Sequence, residues 1–263
     1  SLSGVFAQIA AVYLLAGLMM IGVLSLGGCG AGGDDRPVVR VSAAASLGPV
    51  LQKLQPALEG ELGVTLRLNL AGSGTLARQV LDGAPADAVI LSHPDWMTPL
   101  IDAGRIDAGE VVLLAGNALV VVGRGPAIDL EQLAEPRFGR IAIGDPESVP
   151  AGLYAKQALI AAGVWDAGES KFVTTADVRA ALRYAQTGDV EAALIYATDA
   201  ADLAEVDRSH GLAVLHGIAS DTHDPITITA ATVDASASGA ALLDWLRSPQ
   251  AWEGFAAAGF DRP

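Results

Sequence analysis

Short apolar runs alternate with helical periods along this chain, in two sets joined by one long apolar stretch. Residues 38–41, 64–70 and 88–91 read as buried strands. Each precedes an apolar stripe at helical spacing. Leu47, Val50, Leu51, Leu54 and Leu58 follow the first, Leu76, Val80 and Leu81 the second, and Trp96, Met97, Leu100 and Ile101 the third. This βαβαβα order calls for parallel strands covered by helices, because parallel neighbours need a crossover connection. Pro56 is expected to end or kink the first helix.

The stretch 111–122, interrupted at Gly116-Asn117, reads as a strand that leaves one domain and enters another. A second α/β set follows: strand 141–143, helix 150–162, strand 172–173, helix 176–186, strand 192–196 and a further strand at 212–215. Residues 225–231 read as a return segment. Amphipathic helices around 242–246 and 252–255 would then pack back on the first domain. Two crossings between two α/β lobes make a hinge with a cleft between the lobes. The expected organisation is lobe one at 37–116 and 224–263, and lobe two at 117–223.

At 263 residues the chain can bury one large core or two modest ones, and with 51% hydrophobic and 17% charged residues it is globular rather than disordered. The net charge of −14 argues against nucleic acid or an anionic membrane surface as partner, since both reward basic patches. Before Asp34, residues 5–26 form a nearly unbroken apolar run ending in Leu26-Gly27-Gly28-Cys29. Small residues ahead of a cleavage point mark an export signal. A cysteine directly after Leu-Gly-Gly also resembles the lipobox of bacterial lipoproteins, in which the cysteine carries lipid. The expectation is a signal peptide at 1–28, lipidation at Cys29 and a flexible tether at 29–36; the competing reading is a plain membrane-anchor helix with an incidental cysteine.

Four stretches place small, uncharged residues at the start of a helix: Ala43-Ala44-Ala45-Ser46, Ala71-Gly72-Ser73-Gly74-Thr75, Val149-Pro150-Ala151-Gly152 and Thr174-Thr175-Ala176-Asp177-Val178. Helix starts carry unpaired N–H groups and the positive end of the macrodipole, so several converging on one cleft can hold an anion without Lys or Arg. Each has a plainer reading. Ser46 is a good N-cap residue, Gly72-Ser73-Gly74 is an ordinary turn sequence, and Thr174 with Asp177 is capping-box-like, with Asp177 favoured as a helix cap. Pro150 suits the first helical position and leaves Ala151 and Gly152 with bare N–H groups; Pro49 in the first helix removes one donor. Tyr196, at a strand end, reads as core or rim unless its hydroxyl reaches the cleft. His210, His216 and His223 are spaced for no zinc pattern and read as surface residues. No Ser/His/Asp or paired-carboxylate arrangement stands out, so nothing points to an enzyme.

Taken together, Ala43-Ala44-Ala45-Ser46-Leu47, the run from Ala71 to Gln79, Gly83-Ala84-Pro85-Ala86-Asp87, Gly144-Asp145-Pro146-Glu147, Val149-Pro150-Ala151-Gly152, Tyr154-Ala155-Lys156 and Tyr196-Ala197-Thr198-Asp199 resemble the molybdate-binding proteins of bacterial ABC importers. The resemblance runs from about Val38 to Phe260. It implies a two-lobe periplasmic binding protein fold of type II, with mixed sheets flanked by helices and a ligand cleft at a two-strand hinge. It implies a monomer that binds molybdate, with tungstate as a second ligand, and delivers it to a permease and its ATPase, with no cofactor and no catalysis. Matched motif by motif, the contact residues would be Ser46, Ser73, Ala151, Val178 and Tyr196, all acting on the oxygens, with no protein atom bound to the metal. Ser92-His93-Pro94-Asp95 departs from the family's usual Ala-Asp-rich stretch, and Pro49 is unusual in the first helix. The alternatives are a carrier of sulfate or another tetrahedral oxyanion and, from a different class, a secreted hydrolase using Ser73.

Overall fold

The computed structural model describes residues 36–262 apart from 202 and 204. The signal-peptide and lipidation expectations for 1–28 and Cys29, and all of the tether except Arg36, lie outside the described residues. Among the described residues no helix is long and apolar enough to cross a membrane.

Two mixed five-stranded sheets organise the chain. In the first, β1 (Val38–Ala44), β2 (Thr65–Ala71) and β3 (Ala88–Leu91) run parallel in the order β2-β1-β3, and β4 (Val112–Gly116) lies at the far edge. The second sheet repeats this plan. Its β6 (Ile141–Gly144), β7 (Phe172–Thr175) and β8 (Ala192–Tyr196) run parallel in the order β7-β6-β8, next to β5 (Leu119–Arg124) and β9 (Leu212–Gly217). Each sheet also takes in a strand delivered by a crossing. β5 arrives from β4 and pairs antiparallel with β8, and β10 (Thr227–Thr232) returns to pair antiparallel with β3 and β4. The apolar stretch at 111–122 is therefore not the single strand expected but two strands in two sheets, Val112–Gly116 and Leu119–Arg124, with the interruption beginning at Asn117. Two sheets flanked by helices and joined by two crossings make a two-lobe fold of type II.

The parallel strands carry the helices predicted by the apolar stripes. They are α1 (Gly48–Leu62), α2 (Ser73–Leu81), α3 (Pro150–Ala161) and α4 (Val178–Thr187), with α5 (Ala237–Leu246) packed back on the first sheet and α6 (Pro249–Ala257) on α1. One core cluster fills the second lobe, including Val121, Ile143, Leu159 and Ile195. In the first lobe a cluster including Leu47, Leu58, Phe255 and Trp245 packs one face of the sheet, and a smaller one around Leu76, Val89 and Leu100 packs the other.

Two local expectations need correction. Pro56 does not end its helix: α1 continues to Leu62 and stops at Gly63, whose φ of 63° is the left-handed conformation that glycine adopts without strain. Burial of Val50, Leu51, Leu54 and Leu58 on one stripe holds the turns on either side of the missing N–H. Thr174 is no helix start, because it lies within β7. Asp177 itself is the N-cap, its Oδ1 accepting from Ala180 N–H at 2.8 Å, so the capping box with Thr174 as its first residue does not form.

Candidate oxyanion site

In an α/β sheet the carboxyl ends of the parallel strands are where chain and helix termini are free to meet a ligand. Here both lobes turn those ends toward one cavity. Its lining comes from the segment after β1 (Ala45, Ser46), the segment after β2 (Gly72, Ser73), the residue after β3 (Ser92), the start of α3 (Pro150, Ala151), the start of α4 (Asp177, Val178) and the last residue of β8 (Tyr196). All five residues expected as contacts are among them, and Ser92 is an addition.

The hydroxyls are the decisive feature. Ser46, Ser73, Ser92 and Tyr196 are each no more than 4% exposed. Among the described residues Ser46 Oγ, Ser92 Oγ and Tyr196 Oη find no hydrogen-bond partner of acceptable geometry. Burying a hydroxyl without a partner costs on the order of 1–3 kcal/mol, so three around one cavity point to something they are meant to bind. Ser46 is not spent on its own helix: it sits in the single 3-10 turn Ala45–Leu47, whose N-cap is Ala44, with no side-chain cap bond. Ser73 differs, since its Oγ accepts from Ser92 N–H at 3.1 Å. With a lone pair occupied in this way, the Ser73 proton is turned away from that donor.

Helix-start amides also reach the cavity lining. Val178 is the first residue of α4 and Ala151 the second of α3, positions whose N–H groups have no intrahelical acceptor. Gly152 is not the bare donor its position promised, because its N–H goes to the Val149 carbonyl at 2.9 Å. Its role is steric: a Cβ there would lie 1.9 Å from the Gly144 carbonyl oxygen, so only glycine lets α3 start this close to the end of β6. Among the described residues no Lys or Arg lines the cavity, and the one carboxylate among them there, Asp177, is engaged as a helix cap.

Tyr196 stays a protonated donor. Burial above all, with Tyr154 and Asp199 adding, raises its pKa well above the ordinary phenol value, while the nearby Ser92 hydroxyl pulls the other way. Asp199, buried behind it, is bonded to Arg179 at 3.1 Å, which offsets a negative charge close to the site.

The lobes meet around the cavity. Gly74 N–H donates to the Ser148 carbonyl at 3.0 Å, and Tyr154 Oη on α3 donates to the Ser92 carbonyl at 3.2 Å and, more weakly, to the Pro225 carbonyl at 3.4 Å. His93 packs on the Tyr154 ring, with centroids 5.2 Å apart, and its Nδ1 accepts from Asp95 N–H at 3.1 Å. Burial lowers the His93 pKa, against the pull of Asp95 and Asp224, in keeping with a neutral ring that accepts this bond. The Ser92–Asp95 departure thus lies where the lobes touch. His223 is not a simple surface residue, since its ring packs on the other side of Tyr154 at 5.7 Å. His210 is exposed, and His216 Nδ1 bonds to the Ile128 carbonyl at 2.9 Å.

Residues 39–261 match the family model of the bacterial extracellular solute-binding proteins. The chain belongs to that family. Among solute-binding proteins it is 34% identical to the molybdate-binding protein ModA of Escherichia coli (strain K12), over 86% of this chain and 90% of the relative. It is 32% identical to the putative ABC transporter substrate-binding lipoprotein YvgL of Bacillus subtilis (strain 168), over 73% of each chain. The substrate-binding domain of a putative molybdenum ABC transporter from Clostridium difficile superposes with a TM-score of 0.65 at 27% identity, covering 86% of this chain and 99% of that one.

Proposed function

We propose that this solute-binding protein captures molybdate outside the cytoplasmic membrane and delivers it to the permease and ATPase of an ABC importer, with tungstate as a second ligand. One observation carries the reading: buried hydroxyls and helix-start amides from both lobes converge on a cavity that, among the described residues, no Lys or Arg lines. Ser46 and Ser73 act from lobe one, and Ala151, Val178 and Tyr196 from lobe two, with the lobes divided as 37–116 plus 224–263 and 117–223. Neutral donors suit a fully ionised tetrahedral dianion, which a carboxylate aimed at it would repel. Charge-assisted hydrogen bonds contribute about 1.5–3 kcal/mol each, so a handful outweighs desolvation. In a chain of net charge −14 these local dipoles supply the attraction that the average field does not.

The relative from E. coli favours molybdate over sulfate, since its name states a molybdate-binding protein. A binding role is favoured over hydrolysis at Ser73, whose oxygen accepts the Ser92 N–H rather than facing an imidazole base. Calorimetry with molybdate, tungstate, sulfate and phosphate is the direct test. Molybdate and tungstate are expected to bind tightest, and at ~100 times the dissociation constant molybdate should add about 2.7 kcal/mol to stability, read as a rise in melting temperature. A larger shift with sulfate would reassign the ligand.

The reading extends to anchoring, through a signal peptide at 1–28, lipid on Cys29 and the tether at 29–36. The lipoprotein named among the relatives supports it. In a bacterial host, Cys29→Ala should abolish acyl labelling and leave the protein either released or unprocessed. Labelling that survives the substitution would dismiss the anchor.

A further inference from the structure

We propose that Ser92 is a sixth contact residue of the site, its hydroxyl donating a hydrogen bond to the bound oxyanion; this rests on reading the cavity as an oxyanion site. Each of the three parallel strands of lobe one is followed, within two residues, by a serine that lines the cavity: Ser46 after β1, Ser73 after β2 and Ser92 after β3. Ser92 is 1% exposed, and its Oγ has no hydrogen-bond partner of acceptable geometry.

Its main chain is already committed on both sides. The N–H donates to Ser73 Oγ at 3.1 Å, and the carbonyl accepts from Tyr154 Oη of the opposite lobe at 3.2 Å. Those bonds fix where the residue stands, and the hydroxyl is the polar group left over. The Ser92 hydroxyl lies near Tyr196 Oη, but the two make no hydrogen bond of acceptable geometry, so the neighbour does not satisfy it as a purely structural serine would be satisfied. A serine kept as a spacer would serve as well as alanine, without a buried oxygen to desolvate. A fully ionised tetrahedral anion accepts bonds at every oxygen, so an added donor at this point has an acceptor to meet.

Substitution by alanine separates the hydroxyl from everything else, because the main-chain bonds to Ser73 and Tyr154 remain. Ser92→Ala and the wild-type protein are compared by calorimetry with molybdate, tungstate and sulfate, and by melting without anion. The expected result is a loss of roughly 10- to 100-fold in affinity for whichever anion the wild type binds tightest. The anion-free melting temperature should be unchanged or higher, since an unsatisfied buried group is gone. Affinity within about threefold of wild type would overturn the proposal. So would a fall in anion-free melting temperature that accounts for the affinity loss, which would mark a structural role. If the wild type binds sulfate but not molybdate, the transport reading fails while Ser92 is judged on sulfate by the same criteria. If it binds none of the three, Ser92 has no anion to serve and the proposal falls with the site.

Discussion

Gly72→Ala is expected to weaken anion binding by roughly 5- to 150-fold without unfolding either lobe. Gly72 has φ −63° and ψ 142°, an extended conformation that alanine adopts freely, so the main chain has no objection to the change. The objection lies across the cleft. A Cβ at this position would stand 2.7 Å from the Ala176 carbonyl oxygen and 3.2 Å from Val149 Cγ2, both on lobe two. A backbone oxygen cannot rotate aside as a side chain can, so the lobes must separate by a few tenths of an ångström. That distance is enough to lengthen every hydrogen bond that spans the cavity, and overpacking of this kind costs about 1–3 kcal/mol. Scattering with saturating molybdate should show less compaction than in the wild type, while the melting temperature without ligand should hold. Wild-type affinity in the variant would mean that the two lobes do not close to this distance around the anion.

The second large effect concerns the paired serines, and it splits them. Ser46→Ala and Ser73→Ala should each lose about 10- to 100-fold in molybdate affinity, the equivalent of one charge-assisted bond. Their stabilities should differ. Ser46 Oγ has no partner among the described residues, so its loss should leave the ligand-free melting temperature unchanged or raise it slightly. Ser73 Oγ accepts the Ser92 N–H, so its removal strands a buried donor at a cost of about 1–3 kcal/mol, several degrees of melting temperature for a domain of this size. Equal stability losses in the two variants would contradict the hydrogen-bond assignment, and unchanged affinity in both would remove them from the site.

The candidate site was legible in the sequence where small residues precede apolar helical stripes. Ala151 and Val178 could be found because a helix start exposes its amides whatever surrounds it. The resemblance then matched Ser46, Ser73 and Tyr196 to the same cleft, and all three line it. Ser92 escaped because Ser92-His93-Pro94-Asp95 stood out only as a departure from the family pattern. Its position directly after a buried parallel strand was the signal that could have found it. The Ser46 cap reading was reasonable on local grounds and failed because the turn after β1 is a 3-10 turn begun by Ala44, so no amide comes to the serine oxygen.

By itself the sequence determined the alternation of strands and helices, the passage of the chain from one sheet to the other within 111–122, and the presence of helix starts free of charge. These follow from periodicity and capping, which act over a few residues. Only the tertiary structure decided that both sheets share one plan, since no internal repeat of residues announces it and the antiparallel β5 and β10 come from opposite crossings. It also decided which polar groups stay unpaired. Whether a buried polar group is satisfied depends on atoms far away along the chain, as when Tyr154 Oη reaches the Ser92 carbonyl 62 residues back, and local pattern carries no record of such distances.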